Sequence, residues 1–152
     1  PLSMADYEAH GGLAGLRAAL AMEADARIDA VKESGLRGRG GAGFPTGIKW
    51  GTVALAPAPQ KYVVCNADEG DSGTFADRML MEGDPLCLME GMAIAGAATG
   101  ATKGFVYIRS EYPDAVATMQ AALRVAQAHG LLGPSLLGEG PAFDLEVRVG
   151  AG

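Results

Sequence analysis

Gly38, Gly40 and Gly43 form a G-x-G-x-x-G run with Arg37, Arg39 and Lys49 around it. Glycines in such a run let backbone N–H groups approach a pyrophosphate with no Cβ in the way, and nearby cations add charge-assisted donors, so the chemistry on offer is anion binding. Two familiar versions of the site do not fit. The dinucleotide fingerprint needs a strand just before the glycines, whereas Ile28 to Ser34 reads as helix; a Walker loop needs Gly-Lys-Ser/Thr, which does not follow. A tight turn with two solvated arginines accounts for the same residues, although five glycines between Gly38 and Gly47 exceed what a turn requires. Phe44 beside Pro45 is either a wall for a ring or a hydrophobic plug.

A second constellation, Asn66-Ala67-Asp68-Glu69-Gly70-Asp71-Ser72-Gly73, sets one amide and three carboxylates in sequence. Carboxylates and amides grip the hydroxyls of a ribose or ribityl chain. Calcium is a competing ligand, but the EF-hand spacing and its closing glutamate are missing. A capping turn for a helix after Ser72, with Asp77 and Arg78 as a surface pair, is the plainer alternative. Cys65 and Cys87 lack a CxxC partner or a neighbouring histidine and read as small buried residues; His10 and His129 have no visible partner. No nucleophile and base stand together, so no catalytic side chain and no metal site are expected.

These residues need elements to hold them. Leu13, Leu16 and Leu20 recur at helical spacing, and Ile28, Val31 and Lys32 continue a second helix ending at Gly35. Two helices thus precede the glycine loop, and Ile48 to Leu55 forms a helical turn after it. Lys61 to Asn66 is a β-branched run expected to be a buried strand whose carboxyl end opens onto a crevice. Pro85 starts a helix reaching about Thr99, with a small-residue face that packs closely; Lys103 to Arg109 is a second strand. Ala115 to His129 is a helix capped by Gly130, and Phe143 to Val149 a third strand. The alternation predicts an α/β fold with a three-layer, mostly parallel Rossmann-like sheet, right-handed crossovers and ligands at the strands' carboxyl ends. The expected division is an N-terminal helical segment, 1–34, and a binding α/β region, 35–152, within one structural domain.

With 152 residues, 49% hydrophobic, the chain can bury one core. A net charge of −6 argues against nucleic-acid phosphates or anionic membranes as bulk partners, so any anion must be held locally. The longest apolar stretch, around Cys87 to Ala98, is interrupted by Glu90 and falls short of the roughly 20 residues of a bilayer span. A cytoplasmic setting, with no direct membrane insertion, is the expectation.

The segment Ser34 to Trp50 (SGLRGRGGAGFPTGIKW), followed by Asn66 to Arg78 (NADEGDSGTFADR), closely resembles the flavin and NADH site of the flavoprotein subunit family of respiratory complex I. Glu90-Gly91-Met92 and Tyr107 to Tyr112 are also similar to that family, so the resemblance runs from about Leu13 to the end. It implies FMN against Gly38, Arg39, Gly40, Gly41, Lys49, Asn66, Asp68 and Glu69. It also implies NADH nearby, with Phe44 on its adenine and Lys49 and Asp71 by its polar parts. The implied reaction is hydride transfer between NAD(H) and FMN, a task in which the protein positions rings. Electrons would pass to or from cluster-bearing redox subunits of a larger complex.

Two departures bear on the dinucleotide grip: Asp71 stands where many members have glutamate, and Thr52 where many have an aromatic. The family continues past this point with a Tyr-x-Cys-Gly-Glu-Glu segment, a ubiquitin-like domain and the cysteines of a four-iron cluster, so the chain reads as cut short and the cluster is expected only in that further part. The wording Gly70-Asp71-Ser72-Gly73 is nearer to the diaphorase subunits of NAD-dependent formate dehydrogenases and hydrogenases. The rival class is a non-catalytic nucleotide-binding or assembly module.

Overall fold

The computed structural model describes residues 2–39, 42–67 and 76–150. Three helices, α1 (Met4–Ala9), α2 (Ala14–Leu20) and α3 (Ala24–Ser34), precede the glycine loop. The sequence pattern discloses only two of them. The extra one, α1, is a single short turn-and-a-half with a lone buried side chain, Met4, so it carries no periodicity; its signal is the N-cap Ser3, which accepts from the Asp6 N–H.

After the loop come α4 (Thr46–Leu55), β1 (Tyr62–Ala67), α5 (Ala76–Gly83), α6 (Pro85–Thr99), β2 (Lys103–Arg109), α7 (Pro113–Ala128) and β3 (Asp144–Gly150). The strands form one parallel sheet in the order β1-β2-β3, with Val64 opposite Phe105 and Phe105 opposite Glu146. Proline begins both α6 and α7, where its missing N–H costs nothing, and Gly100 closes α6 in the left-handed conformation.

Three layers result. Alternate strand residues, among them Ala67, Val106, Ile108 and Leu145, are buried beneath α5, α6 and α7. On the far side of α6 lie α2, α3 and α4. This explains why α6 is buried nearly all round and shows no polar stripe: it is sandwiched between sheet and outer helices. Glycines permit the approach. A Cβ on Gly96 would run into the Phe143 ring, and one on Gly104 of β2 would lie 2.5 Å from Leu145 and 2.9 Å from Phe143. Phe143, fully buried, fills the space both glycines leave.

Two polar clips fix the outer layer on α6. The buried Glu90 carboxylate accepts the Leu13 and Leu16 N–H groups, each at 2.9 Å, and the Tyr7 hydroxyl. It therefore caps the first turn of α2, where backbone donors and the helix dipole favour an anion. Burial and the Glu90 carboxylate push the Tyr7 hydroxyl's pKa far up. Arg27 of α3 donates to the Ala19 carbonyl at the end of α2 (2.6 Å) and to the Ala97 carbonyl of α6 (2.9 Å).

Candidate functional site

The glycine loop is a closed device. Arg37 and Pro45 form an antiparallel bridge, the Gly38 N–H donates to the Phe44 carbonyl (3.0 Å), and the Thr46 N–H donates to the Leu36 carbonyl (3.0 Å). The Arg37 guanidinium donates across the loop to the Gly43 carbonyl (3.0 Å). Gly35 and Gly43 hold φ of +73° and +68°, the left-handed region that glycine adopts without steric cost. The loop leaves α3 and enters α4, so it follows a helix, as the residue pattern anticipates.

Arg39 and Lys49 are exposed. The Phe44 ring is half exposed, which rules out the buried plug, and the Lys49 ammonium sits 5.8 Å from its centroid. A flat apolar ring, an ammonium and a hairpin of backbone amides thus share one surface. Gly47 has a different duty from its neighbours. It is buried, and a Cβ there would lie 2.5 Å from Lys32 Cγ and 2.7 Å from the Lys32 backbone nitrogen, so it is the point where α4 presses on α3. Counting glycines cannot separate this packing glycine from the loop's conformational ones.

Asn66 lies near the carboxyl end of β1, on the sheet face turned away from α6. Lys61 relates it to the loop. At the start of β1, its ammonium donates to the Ala54 carbonyl of α4 (2.9 Å) and to the Thr99 carbonyl of α6 (3.3 Å). A cation at two helix carboxyl ends is favourable, and the bonds gather those ends and the beginning of β1 at one pole. The glycine loop lies at the opposite, amino-terminal end of α4, and Asn66 lies towards the other end of β1. Gly40, Gly41, Asp68, Glu69 and Asp71 lie outside the described residues.

The exposed sheet face carries a cleft of about 600 Å³ lined by Val64, Asn66, Phe105, Tyr107 and Arg148. Around it Arg148 stacks 5.1 Å from the Phe105 centroid and pairs with Glu146 (2.7 Å), which Lys103 reaches at 3.6 Å. The Arg148 hydrogen bond and the two positive charges hold the Glu146 carboxyl below its usual range. The sequence pattern reveals β3 but not this cleft, because its lining comes from one residue in two on three strands far apart in the chain.

Cys87 is exposed rather than buried, because it falls on the outward side of α6's amino-terminal half. Its pKa is nonetheless raised by partial burial and by the Asp84 and Glu90 carboxylates, with Tyr7 opposing. Cys65 is half buried. His10 and His129 each bond a carbonyl of their own helix, Asp6 (2.8 Å) and Val125 (2.9 Å). Among the described residues no group of His, Cys, Asp and Glu could hold a metal ion, and no helix is long and apolar enough to cross a membrane.

A parallel sheet flanked by helices, preceded by a glycine loop that enters a helix, defines the class as a three-layer α/β domain. Residues 31–152 match the model of the Nuo51 FMN-binding domain, and the chain belongs to that family. It is 54% identical over 152 residues to the NADP-reducing hydrogenase subunit HndC of Solidesulfovibrio fructosivorans, covering all of this chain and 31% of the relative. It is 49% identical over 150 residues to an NADH-quinone oxidoreductase subunit of Rhizobium meliloti (strain 1021), covering 98% of this chain and 36% of that protein. Among solved structures, the NAD+-reducing [NiFe]-hydrogenase in the H2-reduced state superposes with a TM-score of 0.73 at 40% identity, over 86% of this chain and 21% of that one. The chain spans about a third of the length of these curated relatives.

Proposed function

We propose that this chain supplies the FMN- and NADH-binding surface of an NADH:acceptor oxidoreductase subunit, a diaphorase whose flavin exchanges electrons with iron-sulfur clusters of partner subunits. The observation that carries the reading is the closed glycine loop, with Phe44 and Lys49 beside it, in a member of the Nuo51 FMN-binding family. The donor set fits the ligand's chemistry: amides and cations for a phosphate, a half-exposed ring for a flat heterocycle, and an amide side chain at a strand's end for hydroxyls.

In this reading Gly38, Arg39, Gly40, Gly41 and Lys49 hold the FMN phosphate, and Asn66, Asp68 and Glu69 hold its ribityl hydroxyls. Phe44 stacks on the NADH adenine, with Lys49 and Asp71 at its polar groups. FMN, when bound, supplies the ring system that takes up or gives a hydride. The protein's own contribution is to fix two rings face to face, and no side chain needs to move a proton. The names of the relatives, a hydrogenase subunit and a quinone oxidoreductase subunit, support hydrogen- or quinone-linked partners in a multi-subunit complex; a setting in the cytoplasm or on a membrane's inner face is part of the proposal.

Flavin fluorescence quenching tests this. FMN is titrated into this chain and into a longer form carrying the segment that follows in the relatives, each with and without Lys49→Ala. The expected result is FMN binding by the longer form, weakened tenfold or more by Lys49→Ala, since a charge-assisted contact contributes about 1.5–3 kcal/mol. Failure of both forms to bind FMN would refute the proposal.

A further inference from the structure

Among the described residues the glycine loop's hydrogen bonds run within itself, and it follows α3, whose one buried residue is Ile28. Beside that anchor, α3 meets α4 where Lys32 lies against Gly47. Arg27, next to Ile28, adds a polar link, bonded at once to α2 and to α6. The other end of the outer layer is fixed by Glu90, whose carboxylate bonds the first turn of α2 at two amides and the Tyr7 hydroxyl. Leu13, at that turn, holds φ of +70°, a conformation a leucine keeps only when its surroundings impose it. The Gly12 backbone lies so close to Tyr7 that a Cβ there would meet its ring.

We propose that Glu90 and Arg27 are positioning residues for the glycine loop: together they register α2 and α3 on α6, and through α3 they set where the loop meets α4. The inference rests on the loop being the ligand site, but its geometry does not. The path is continuous. Glu90 fixes α2, Arg27 joins α2 to α3 and α6, and Lys32 of α3 meets Gly47 of α4 at the loop's exit.

Amide hydrogen exchange on this chain tests it, comparing wild type with Glu90→Gln, Arg27→Gln and, as a control, the exposed Arg124→Gln. Both test variants should speed exchange at the Gly38 and Thr46 amides about tenfold, the effect of removing one charge-assisted hydrogen bond. Val106 and Ile108 at the sheet centre should keep their protection, and the emission of Trp50, the one tryptophan, on α4, should shift. Should Glu90→Gln not fold, Tyr7→Phe, which deletes one of the three bonds, should give the same pattern more weakly. Unchanged loop amides in either test variant, or equal acceleration at loop and sheet, would overturn the proposal. A parallel FMN titration of the longer form keeps the two ideas apart: loosened loop amides, with a longer form that never binds FMN, refute the ligand reading alone, while normal loop amides, with a longer form that binds it, refute the positioning.

Discussion

Gly47→Ala pits two general effects against each other. Alanine is the better helix former, by at most about 1 kcal/mol in a helix interior and less in a first turn, so propensity alone expects a more stable protein. The structure expects the reverse. The added methyl would lie 2.5, 2.7 and 2.8 Å from Lys32 Cγ, N and Cα, and two of those atoms are backbone of a packed helix that cannot swing aside. Forcing a methylene into such a contact costs about 1–3 kcal/mol, leaving a net loss of roughly 1–2 kcal/mol. With an m-value of about 1–3 kcal/mol/M, the urea midpoint should fall by about 0.5–1 M. Gly91→Ala is the internal comparison: it lies in α6 with nothing within 4 Å of the new methyl, so propensity acts unopposed and up to about 1 kcal/mol should be gained. Urea unfolding followed by circular dichroism reads both. A Gly47→Ala protein as stable as wild type, beside a stabilised Gly91→Ala, would refute the α3–α4 contact and with it the account of how the loop's exit is held.

Phe143→Ala removes the side chain that fills the space left by Gly96 and Gly104 and should cost about 3–5 kcal/mol, seen as a large drop in the same midpoint. Glu146 has its pKa lowered in the folded protein, so its contribution is present above the ordinary carboxylate range and lost as pH falls through the folded value. Thermal unfolding of wild type and Glu146→Gln should differ slightly at neutral pH, and the gap should close in strong acid and in concentrated salt because the group is exposed. Cys87, although exposed, should react with iodoacetamide more slowly than a free thiol at mildly alkaline pH, since burial and two carboxylates keep its proton on; the rates should converge as pH rises.

The long elements were legible because their residues repeat with the period of their burial. Val116, Met119, Leu123 and Ala126 mark α7, and β3 alternates apolar and charged residues, although at its end Val149 is exposed. The glycine loop was legible as a loop because Gly35 and Gly43 hold the left-handed turns it needs. What stayed hidden depends on residues meeting from distant positions. Glu90 capping α2, Lys61 serving two helix ends and Gly47 yielding to Lys32 have no local signature. Glu90 in sequence looks like a polar interruption of an apolar helix; only the approach of α2's free amides turns it into a satisfied buried anion.

The same contrast bears on the site. Under the proposed reading, binding an anion on a chain of net charge −6 demands that local donors outweigh the field of the whole, and the cations about the loop are the described groups that would do so. Of the cations about the loop, Arg37 donates to the Gly43 carbonyl, while Arg39 and Lys49 remain exposed at its surface. Arg37, itself exposed, therefore shapes the hairpin as well as lending it charge. Removing Arg37 should deform the loop and weaken every ligand there, whereas removing Lys49 should weaken phosphate-bearing ligands and leave the loop's shape intact. The residues are near neighbours of like charge, and the carbonyl that one of them bonds is what gives them different work.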